Sequence, residues 1–322
     1  MGQQKSLLKR IGEFNELGIF LVLIAICIII TIVNPIFISG DNLTNMARAT
    51  SYVIIVSTVS TMVFIVGGLD LSVGSVIGLG GLVTGVCLNY FDLPVWVSIC
   101  AGLATGAAVG LGNGLLVVKT KLPPFIATLG TMYMARGVMN VITEGQPVYP
   151  LPEKFIQFGS GELFGMQYSI YIALGIAVAI HFVLKNTVFG RNLYAIGGNL
   201  ETARLSGISI GRDRIIVYVL SGLVAALSGI IQTARMNSAQ VSTGTGWEMR
   251  VIASVIIGGT SLFGGSGSVL GTVFGTVMMT VLTSGMILMK VSAYWQNVVV
   301  GAIIVVAVII DQMKRRRTGD IV

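Results

Sequence analysis

The sequence predicts an all-α, polytopic integral membrane protein with about ten transmembrane helices and both termini in the cytoplasm. Three observations lead to this prediction. Of the 322 residues, 54% are hydrophobic and only 10% are charged, whereas soluble domains carry about 25% charged residues. Apolar runs long enough to span a bilayer follow one another along the chain. The positive charges concentrate in the segments between alternate runs.

The apolar runs define the spans in order. The first run, 17–33, follows Lys5, Lys9 and Arg10. No small-residue cleavage site comes after it, so we interpret it as a retained helix rather than a signal peptide. The later runs are 46–66, 72–89, 95–118, 123–143, 168–184, 213–234, 248–263, 268–288 and 292–310. Each can cross about 30 Å of hydrocarbon except the short run 248–263.

The distribution of charge orients these spans. Most of the 20 Lys and Arg residues lie in the N-terminal tail, the turn with Lys119 and Lys121, the loop 185–214 and the tail 314–317. The positive-inside rule places these segments in the cytoplasm. The net charge of +7 therefore reflects membrane topology rather than nucleic-acid binding. No second domain is visible, so residues 1–322 form a single transmembrane domain.

Glycine recurs at helical spacing in two of the runs. One set is Gly102, Gly106, Gly110 and Gly114, and the other is Gly267, Gly271 and Gly275. Residues four apart share one face of a helix, and small residues there let two helix backbones approach closely. We interpret these stripes as tight packing faces. A face beside a translocation pathway is the alternative.

The sequence contains no pattern typical of an enzyme or a metal site. Cys27, Cys87 and Cys100 lie inside apolar runs, and there is a single histidine. We find no glycine-rich phosphate loop. We therefore expect no catalytic residues, no metal and no cofactor in this chain, which disfavours a membrane enzyme acting on lipids. The spans also hold few ionisable residues, so only Asp70 could be the centre of an ion-coupled carrier.

Two glycine pairs interrupt the apolar pattern. The segment 66–71 (Val-Gly-Gly-Leu-Asp-Leu) resembles the segment 257–262 (Ile-Gly-Gly-Thr-Ser-Leu), either as an internal repeat or by chance. Asp70 is expected to cap the helix that begins near Leu71. Alternatively, it is a gate residue, because irregular backbone at membrane depth occurs only within protein or beside water. The pathway or gate candidates are Gly67, Gly68, Asp70, Ser72, Gly258 and Gly259.

Polar residues also occur toward the predicted outer side. Arg136 lies in the run 123–143 and is expected to reach outward or to pair with Glu144. The stretch 237–247 is rich in Ser, Thr, Gln and Gly. It suits a vestibule for a neutral hydroxylated solute, a docking surface or an ordinary loop. The outer docking candidates are Arg235, Asn237 and Glu248.

The predicted cytoplasmic loop contains a short helix with clear end signals. Asn199 is a good N-cap, Glu201 favours the positive helix start, and Gly207 is a good C-terminal stop. A helix of about two turns is too short to be stable alone in water. Either the rest of the protein or a partner subunit must therefore hold it.

Four segments together resemble the monosaccharide ABC permeases, the group that includes ribose, galactose, xylose and arabinose systems. They are 67–75, 124–130, 189–208 and 257–265, and they occur in family order over nearly the whole chain. The resemblance implies a multi-pass permease subunit of an ATP-driven importer in a bacterial inner membrane. Permeases for branched-chain amino acids share part of this pattern and are an alternative, as is an ion-coupled secondary transporter.

The resemblance also implies partners. A second permease subunit, identical or homologous, would pair with this chain above two cytoplasmic ABC ATPases, which bind the ATP and magnesium. An extracytoplasmic binding protein would deliver ribose, galactose, xylose, an inositol or a sugar-like signal molecule. The short helix would rest in a cleft of the ATPase. The residues expected at this contact are Gly198, Asn199, Glu201, Ala203, Arg204, Leu205 and Gly207.

Overall fold

The computed structural model describes residues 15–318, and the side chains of residues 17–313. The predicted basic tail with Lys5, Lys9 and Arg10 lies outside the described residues. The helices are α1 (Asn15–Val33), α2 (Gly40–Ile65), α3 (Val73–Asn89), α4 (Val95–Lys119), α5 (Pro124–Thr143), α6 (Glu153–Ser160), α7 (Tyr168–Asn186), α8 (Val188–Gly198), α9 (Leu200–Leu205), α10 (Ile210–Met236), α11 (Trp247–Ile257), α12 (Val269–Leu288) and α13 (Ala293–Thr318). A 3-10 helix, Pro35–Ile38, precedes α2, and β1 (Glu162–Leu163) pairs with β2 (Met166–Gln167) in a small antiparallel hairpin.

The helices confirm an all-α polytopic membrane protein. Within the described residues, seven helices are long and apolar enough to cross a membrane, namely α2, α4, α5, α7, α10, α12 and α13. The apolar helices α1 and α3 are shorter. The predicted run 248–263 is wrong in its second half, because α11 ends at Ile257 and a turn follows. With 11 residues, α11 covers about 16 Å, half of the hydrocarbon thickness.

Local end signals fix where the helices begin. Helix α2 starts at Gly40, six residues before the apolar run 46–66 that predicted it. The Ser39 hydroxyl accepts a hydrogen bond from the Asn42 amide at 3.4 Å, and Asp41 lies in the first turn. Both features stabilise a helix N-terminus. Polar residues expected in a loop therefore extend α2 by more than one turn.

Helix α2 is the centre of the bundle. Its most apolar 18-residue window is 89% buried inside the chain, and Ile55, Met62 and Ile65 are fully buried. Helices α7, α10, α11 and α12 pack against it, and α8 contacts its end. In contrast, the apolar window of α13 is 0% buried. The outer helices thus present their apolar side chains to lipid or to another chain.

The glycine stripes confirm close helix packing. A side chain at Gly106 of α4 would overlap Gly222 and Ala226 of α10, and one at Gly110 would overlap the backbone of Tyr218. In the second stripe, a side chain at Gly271 of α12 would overlap the backbone of Gly258. The stripe was predicted wrongly at Gly267, because that residue precedes α12 and packs on Thr260. These contacts hold backbones against each other, which is how helices associate in lipid.

The bundle has two opposite faces. We call the face with Lys119, the end of α2 and helices α8 and α9 the basic face, and the opposite one the far face. After α10 reaches the far face, the segment 237–246 turns back into the bundle along α3. It starts with Ala239 against Gly85 and ends with Gly244 against Gly74. Eleven residues of α3 separate these contacts, so the segment descends about 16 Å.

Candidate functional site

Helices α2 and α11 end on the basic face in the same way. In α2, Gly67 has a φ of 70°, and Gly68 N donates to the Val63 carbonyl at 2.9 Å. In α11, Gly259 has a φ of 82°, and Thr260 N donates to the Val255 carbonyl at 3.2 Å. Both are Schellman ends, which favour glycine at the left-handed position. The two segments therefore end their helices alike, but Gly67 is structurally equivalent to Gly259 and not to Gly258, which is one residue away from the match of the sequences.

The two ends meet beneath helix α8. Gly265 N donates to the Ile65 carbonyl at 2.9 Å. Gly197, near the end of α8, packs on this hydrogen bond so closely that a side chain there would overlap both partners. Gly264 packs between Gly67 and Gly197. We call this contact between the ends of α2 and α8 and the turn that follows α11 the basic-face junction.

Polar side chains fasten the basic-face junction to its neighbours. Tyr194 of α8 donates to the Gly267 carbonyl at 2.8 Å, and burial raises the pKa of Tyr194, so its hydroxyl keeps the proton it donates. Arg214 of α10 donates to the Val66 carbonyl at 3.1 Å. Asp311 of α13 accepts from Ser261 Oγ at 3.1 Å. Sequence reasoning missed these three residues, because each acts on a segment distant in the chain.

Helix α9 follows the junction directly and confirms the predicted end signals. Asn199 Oδ1 accepts from the Thr202 amide at 2.9 Å, and Gly207 has a φ of 77°. Ala203 is 2% exposed, so it holds α9 against its own chain and is not available to a partner. Gly198, Glu201 and Arg204 are exposed.

The outer side of α9 is unusually apolar for a surface helix. Leu205 is 80% exposed and Leu200 is 47% exposed. Exposed leucines beside Glu201 and Arg204 make a small mixed surface, and such surfaces mark protein contacts. Because the helix has only six residues, its position depends on the caps and on buried Ala203.

Asp70 lies at the centre of a buried polar cluster. It is 5% exposed, and it accepts from the Ser72 amide at 2.9 Å, from Ser72 Oγ at 2.6 Å and from Ser221 Oγ at 2.8 Å. Asn113 Nδ2 donates to Ser72 Oγ at 2.8 Å. Asp70 thus accepts the amide just before α3 rather than one inside it. The cluster joins the start of α3 to α4 and α10.

Arg136 has different partners from those predicted. It donates to the carbonyls of Val241 and of Thr243, the latter at 2.8 Å, and to that of Gly74 at 3.2 Å. It does not pair with Glu144. The descending segment 237–246 brings these carbonyls to the arginine within the bundle. An arginine in an apolar span needs such acceptors, so its partners could have been sought among distant loops.

The predicted outer docking residues separate in the structure. Glu248 is half-buried and packs on Gly74 at the start of α3, where its charge attracts Arg136. It therefore lies inside the bundle and not at the far surface. Asn237 accepts from the Leu151 amide at 2.8 Å and fixes a far-face loop.

Arg235, the third docking candidate, lines a cavity of about 430 Å³ between α2, α10, α11 and α12. The cavity extends from Asn42 and Leu288 at the far-face ends of helices to Ser254 and Thr276. Thr276 is twelve residues from Leu288, a depth of about 18 Å. Directly below it, Thr61 of α2 and Thr272 of α12 are hydrogen-bonded at 2.7 Å. Both helices that carry this contact continue to the basic-face junction or start beside it.

Comparisons with known proteins identify the family of this chain. The family described as branched-chain amino acid transport system / permease component matches residues 42–308. The ribose import permease protein RbsC of Escherichia coli (strain K12) is 40% identical over 307 residues, which cover 94% of each chain. RbsC of Bacillus subtilis (strain 168) is 40% identical over 306 residues, again 94% of each chain. The galactose/methyl galactoside import permease protein MglC of Escherichia coli (strain K12) is 35% identical, covering 94% of this chain and 96% of its own.

No solved structure matched this chain. The family match and the relatives each cover most of the sequence. Three of the segments that carry the resemblance contribute to the basic-face junction and helix α9. In the fourth, 124–130, Thr128 Oγ1 accepts from the Leu71 amide at 3.1 Å, next to Asp70. The chain therefore belongs to this family of transport-system permease components, as an ABC permease of the monosaccharide type.

Proposed function

We propose that this chain is the membrane-spanning permease subunit of an ATP-driven, binding-protein-dependent importer of a monosaccharide such as ribose. Relatives named as ribose, galactose and allose permeases support the solute class. The observation that carries the coupling role is helix α9. Its exposed leucines lie on a helix that continues directly from the basic-face junction. A partner that moves α9 therefore moves the ends of α2 and α11.

The proposed topology places the basic face in the cytoplasm of a bacterial cell, with the protein in the inner membrane. The seven candidate spans, the shorter helices α1 and α3 and the half-helix α11 together account for ten segments. Both termini are then cytoplasmic. The concentration of Lys and Arg on the basic face supports this orientation.

The proposed partners follow from the faces of the bundle. A cytoplasmic ABC ATPase, which binds ATP and magnesium, docks on α9. A second permease subunit covers part of the exposed apolar surface. A sugar-binding protein docks on the far face, where the hairpin β1–β2 is available, and Phe164 of the hairpin is 92% exposed. This chain needs no cofactor of its own.

Transport in this proposal alternates between two packings of α2, α11 and α12. ATP binding moves α9, and Gly197 transmits the movement to the Ile65 carbonyl and to Gly265. The contact between Thr61 and Thr272 below the cavity is then opened or closed. Each ligand shifts the balance only by binding the two packings unequally. The cavity is the far-side part of this pathway.

The coupling role is tested by co-purification. Tagged full-length chain is purified in mild detergent, and co-purifying proteins are identified by mass spectrometry. Leu205→Asp is expected to reduce the bound ATPase about tenfold or more, because it places a charge in a desolvated contact. The double variant Glu201→Lys and Arg204→Glu is expected to have an effect of the same size, because it reverses both charges in that contact. Arg191→Glu, on the exposed side of α8, is the matched control and should retain the ATPase. Retention by the α9 variants at the control level would contradict the proposal.

An ion-coupled carrier centred on Asp70 would transport its solute without ATP and would need the Asp70 carboxylate. All carboxylate contacts described above are to hydroxyl or amide donors of this chain, so Asp70 has a structural role. In proteoliposomes of the assembled importer with ATP and no ion gradient, Asp70→Asn should retain ribose uptake within about threefold. Asp70→Ala should lower the thermal stability, since each buried donor left unpaired costs about 1–3 kcal/mol. Uptake driven by a proton or sodium gradient without ATP, and lost in Asp70→Asn, would support the ion-coupled carrier instead.

A further inference from the structure

The far-face cavity contains buried polar groups without partners. Tyr52 lines the cavity, is 3% exposed, and its hydroxyl has no hydrogen-bond partner among the described residues. The Nε2 atom of Gln232, also in the lining, is buried and likewise has no partner there. Buried polar groups are nearly always hydrogen-bonded, and an exception in a cavity calls for an explanation. Two such groups in one cavity point to a ligand that supplies the missing partners.

The charges around the cavity narrow the class of ligand. Arg235 and Arg250 line it, and neither forms an ion pair with the part of the chain that the structure describes. Among the described residues of the lining, none is Asp or Glu. A solute with an ammonium group would thus be desolvated without a counter-charge, which is strongly unfavourable. A solute rich in hydroxyl groups fits, because arginine and glutamine side chains offer several donors.

The aromatic groups add a second feature of the site. The Arg235 guanidinium lies 5.9 Å from the centre of the Tyr52 ring, so its charge is partly balanced by the ring. Trp247, at the start of α11, is in the lining and offers an apolar face to the C–H groups of a sugar ring. The volume of about 430 Å³ is within the range of about 300–1,000 Å³ that small-ligand sites occupy.

We propose that this cavity within a single subunit is a binding site for the transported solute, a neutral monosaccharide, with Tyr52 and Gln232 as its principal hydrogen-bonding residues. The inference rests on the proposed function and adds a location and a recognition chemistry to it. Arg235, which sequence analysis assigned to docking, contributes to the solute site instead. The descending segment 237–246 creates the site, because it places Trp247 inside the bundle.

The test uses Trp247 as the reporter. The chain has three tryptophans, and Trp96 and Trp295 are 71% and 64% exposed. Trp96→Phe and Trp295→Phe leave Trp247 as the only one in the purified full-length chain. D-ribose, D-galactose and D-allose are titrated, with L-leucine and D-galacturonate as the zwitterionic and anionic comparisons. We expect a saturable change in fluorescence with at least one neutral sugar and none with leucine.

Matched variants locate the response. Tyr52→Phe and Gln232→Leu are each expected to weaken the apparent affinity about tenfold, the effect of one lost hydrogen bond. Tyr133→Phe, at an exposed position on α5, is the control and should change nothing. Three outcomes would overturn the proposal. The native chain could show no saturable response to any neutral sugar, Tyr52→Phe and Gln232→Leu could both bind the sugar as tightly as the native chain, or leucine or galacturonate could bind more tightly than the sugars.

Uptake by the assembled importer separates this inference from the proposed function. If native protein imports the sugar and Tyr52→Phe leaves the KM unchanged, the cavity is not the solute site, while the importer function stands. If the native importer transports no monosaccharide at all, the proposed function itself fails. A KM that is about tenfold higher in Tyr52→Phe and unchanged in Tyr133→Phe supports both the importer function and the cavity as the solute site.

Discussion

Replacing Gly197 with alanine is expected to reduce ATP-driven uptake more than tenfold. The new methyl group would overlap the Ile65 carbonyl and would lie 2.5 Å from Gly265 N. Helix α8 would have to move outward, and the hydrogen bond between Gly265 and Ile65 would lengthen or break. Overpacking of this kind costs about 1–3 kcal/mol, and here it acts at the contact that we propose transmits movement from α9. Uptake and ATP hydrolysis are measured together in proteoliposomes of the assembled importer.

Gly175→Ala in α7 is the matched control. Gly175 is also a helical glycine, and a Cβ atom there meets nothing within 4 Å. Its uptake should equal that of the native protein. Because the caps of α9 are untouched in Gly197→Ala, the ATPase should still co-purify with that variant. Equal transport by the two variants would show that the close contact at Gly197 does not carry the coupling.

Gly106→Leu is expected to be the most destabilising substitution in the bundle. Gly106 and Gly222 approach each other's backbone reciprocally, so a leucine at Gly106 would have to separate α4 from α10. Since α10 also carries Ser221 of the Asp70 cluster, the separation would strain that cluster too. We expect a loss of about 3 kcal/mol or more. The measurement is the fraction of protein that remains monodisperse in mild detergent after heating.

Gly112→Leu provides the comparison on the same helix. Gly112 lies two residues beyond Gly110 in α4, and a Cβ atom there meets nothing within 4 Å. The variant should melt at the same temperature as the native protein. If Gly106→Leu and Gly112→Leu were equally stable, close packing would not be the reason for the glycine stripe.

Most of the spans could be predicted from the sequence because hydropathy is a local property. The run 95–118 agrees with α4 (Val95–Lys119), and the run 268–288 agrees with α12 (Val269–Leu288). The predicted boundaries failed where an end signal outweighed hydropathy. Ser39 and Asp41 start α2 within a polar stretch, and the glycine pair at Gly258 ends α11 within an apolar one.

The inner path of the segment 237–246 could not be predicted. Its Ser, Thr, Gln and Gly residues are those of a surface loop, and only its distant neighbours show that its inner side packs along α3. Gly74 and Gly78 of α3 leave room for its backbone, and Arg136 binds its carbonyls. The sequence held two features that point to this path, namely a charged residue within a span, Arg136, and the glycines Gly74 and Gly78 on another helix.

In the candidate site, too, features set by neighbouring residues in the sequence could be predicted, and features set by tertiary contacts could not. The caps of α9 at Asn199 and Gly207 were predicted correctly, since each depends on residues within the segment. That Ala203 faces inward was not predictable, because it depends on how α8 docks on the junction. The cavity was missed for the same reason, since Tyr52 and Gln232 are separated by 180 residues of sequence.

Helix α9 has a consequence for how such permeases diversify. Its end signals and its anchor are supplied by Asn199, Ala203 and Gly207. Leu200, Arg204 and Leu205 are exposed, and Glu201 contributes only its charge at the helix start. The outward residues can therefore change as a set without altering the bundle or the cavity. We expect that exchanging them for those of another permease would redirect this chain to a different motor while the cargo stays the same. Choice of motor and choice of cargo are thus free to evolve as separate traits.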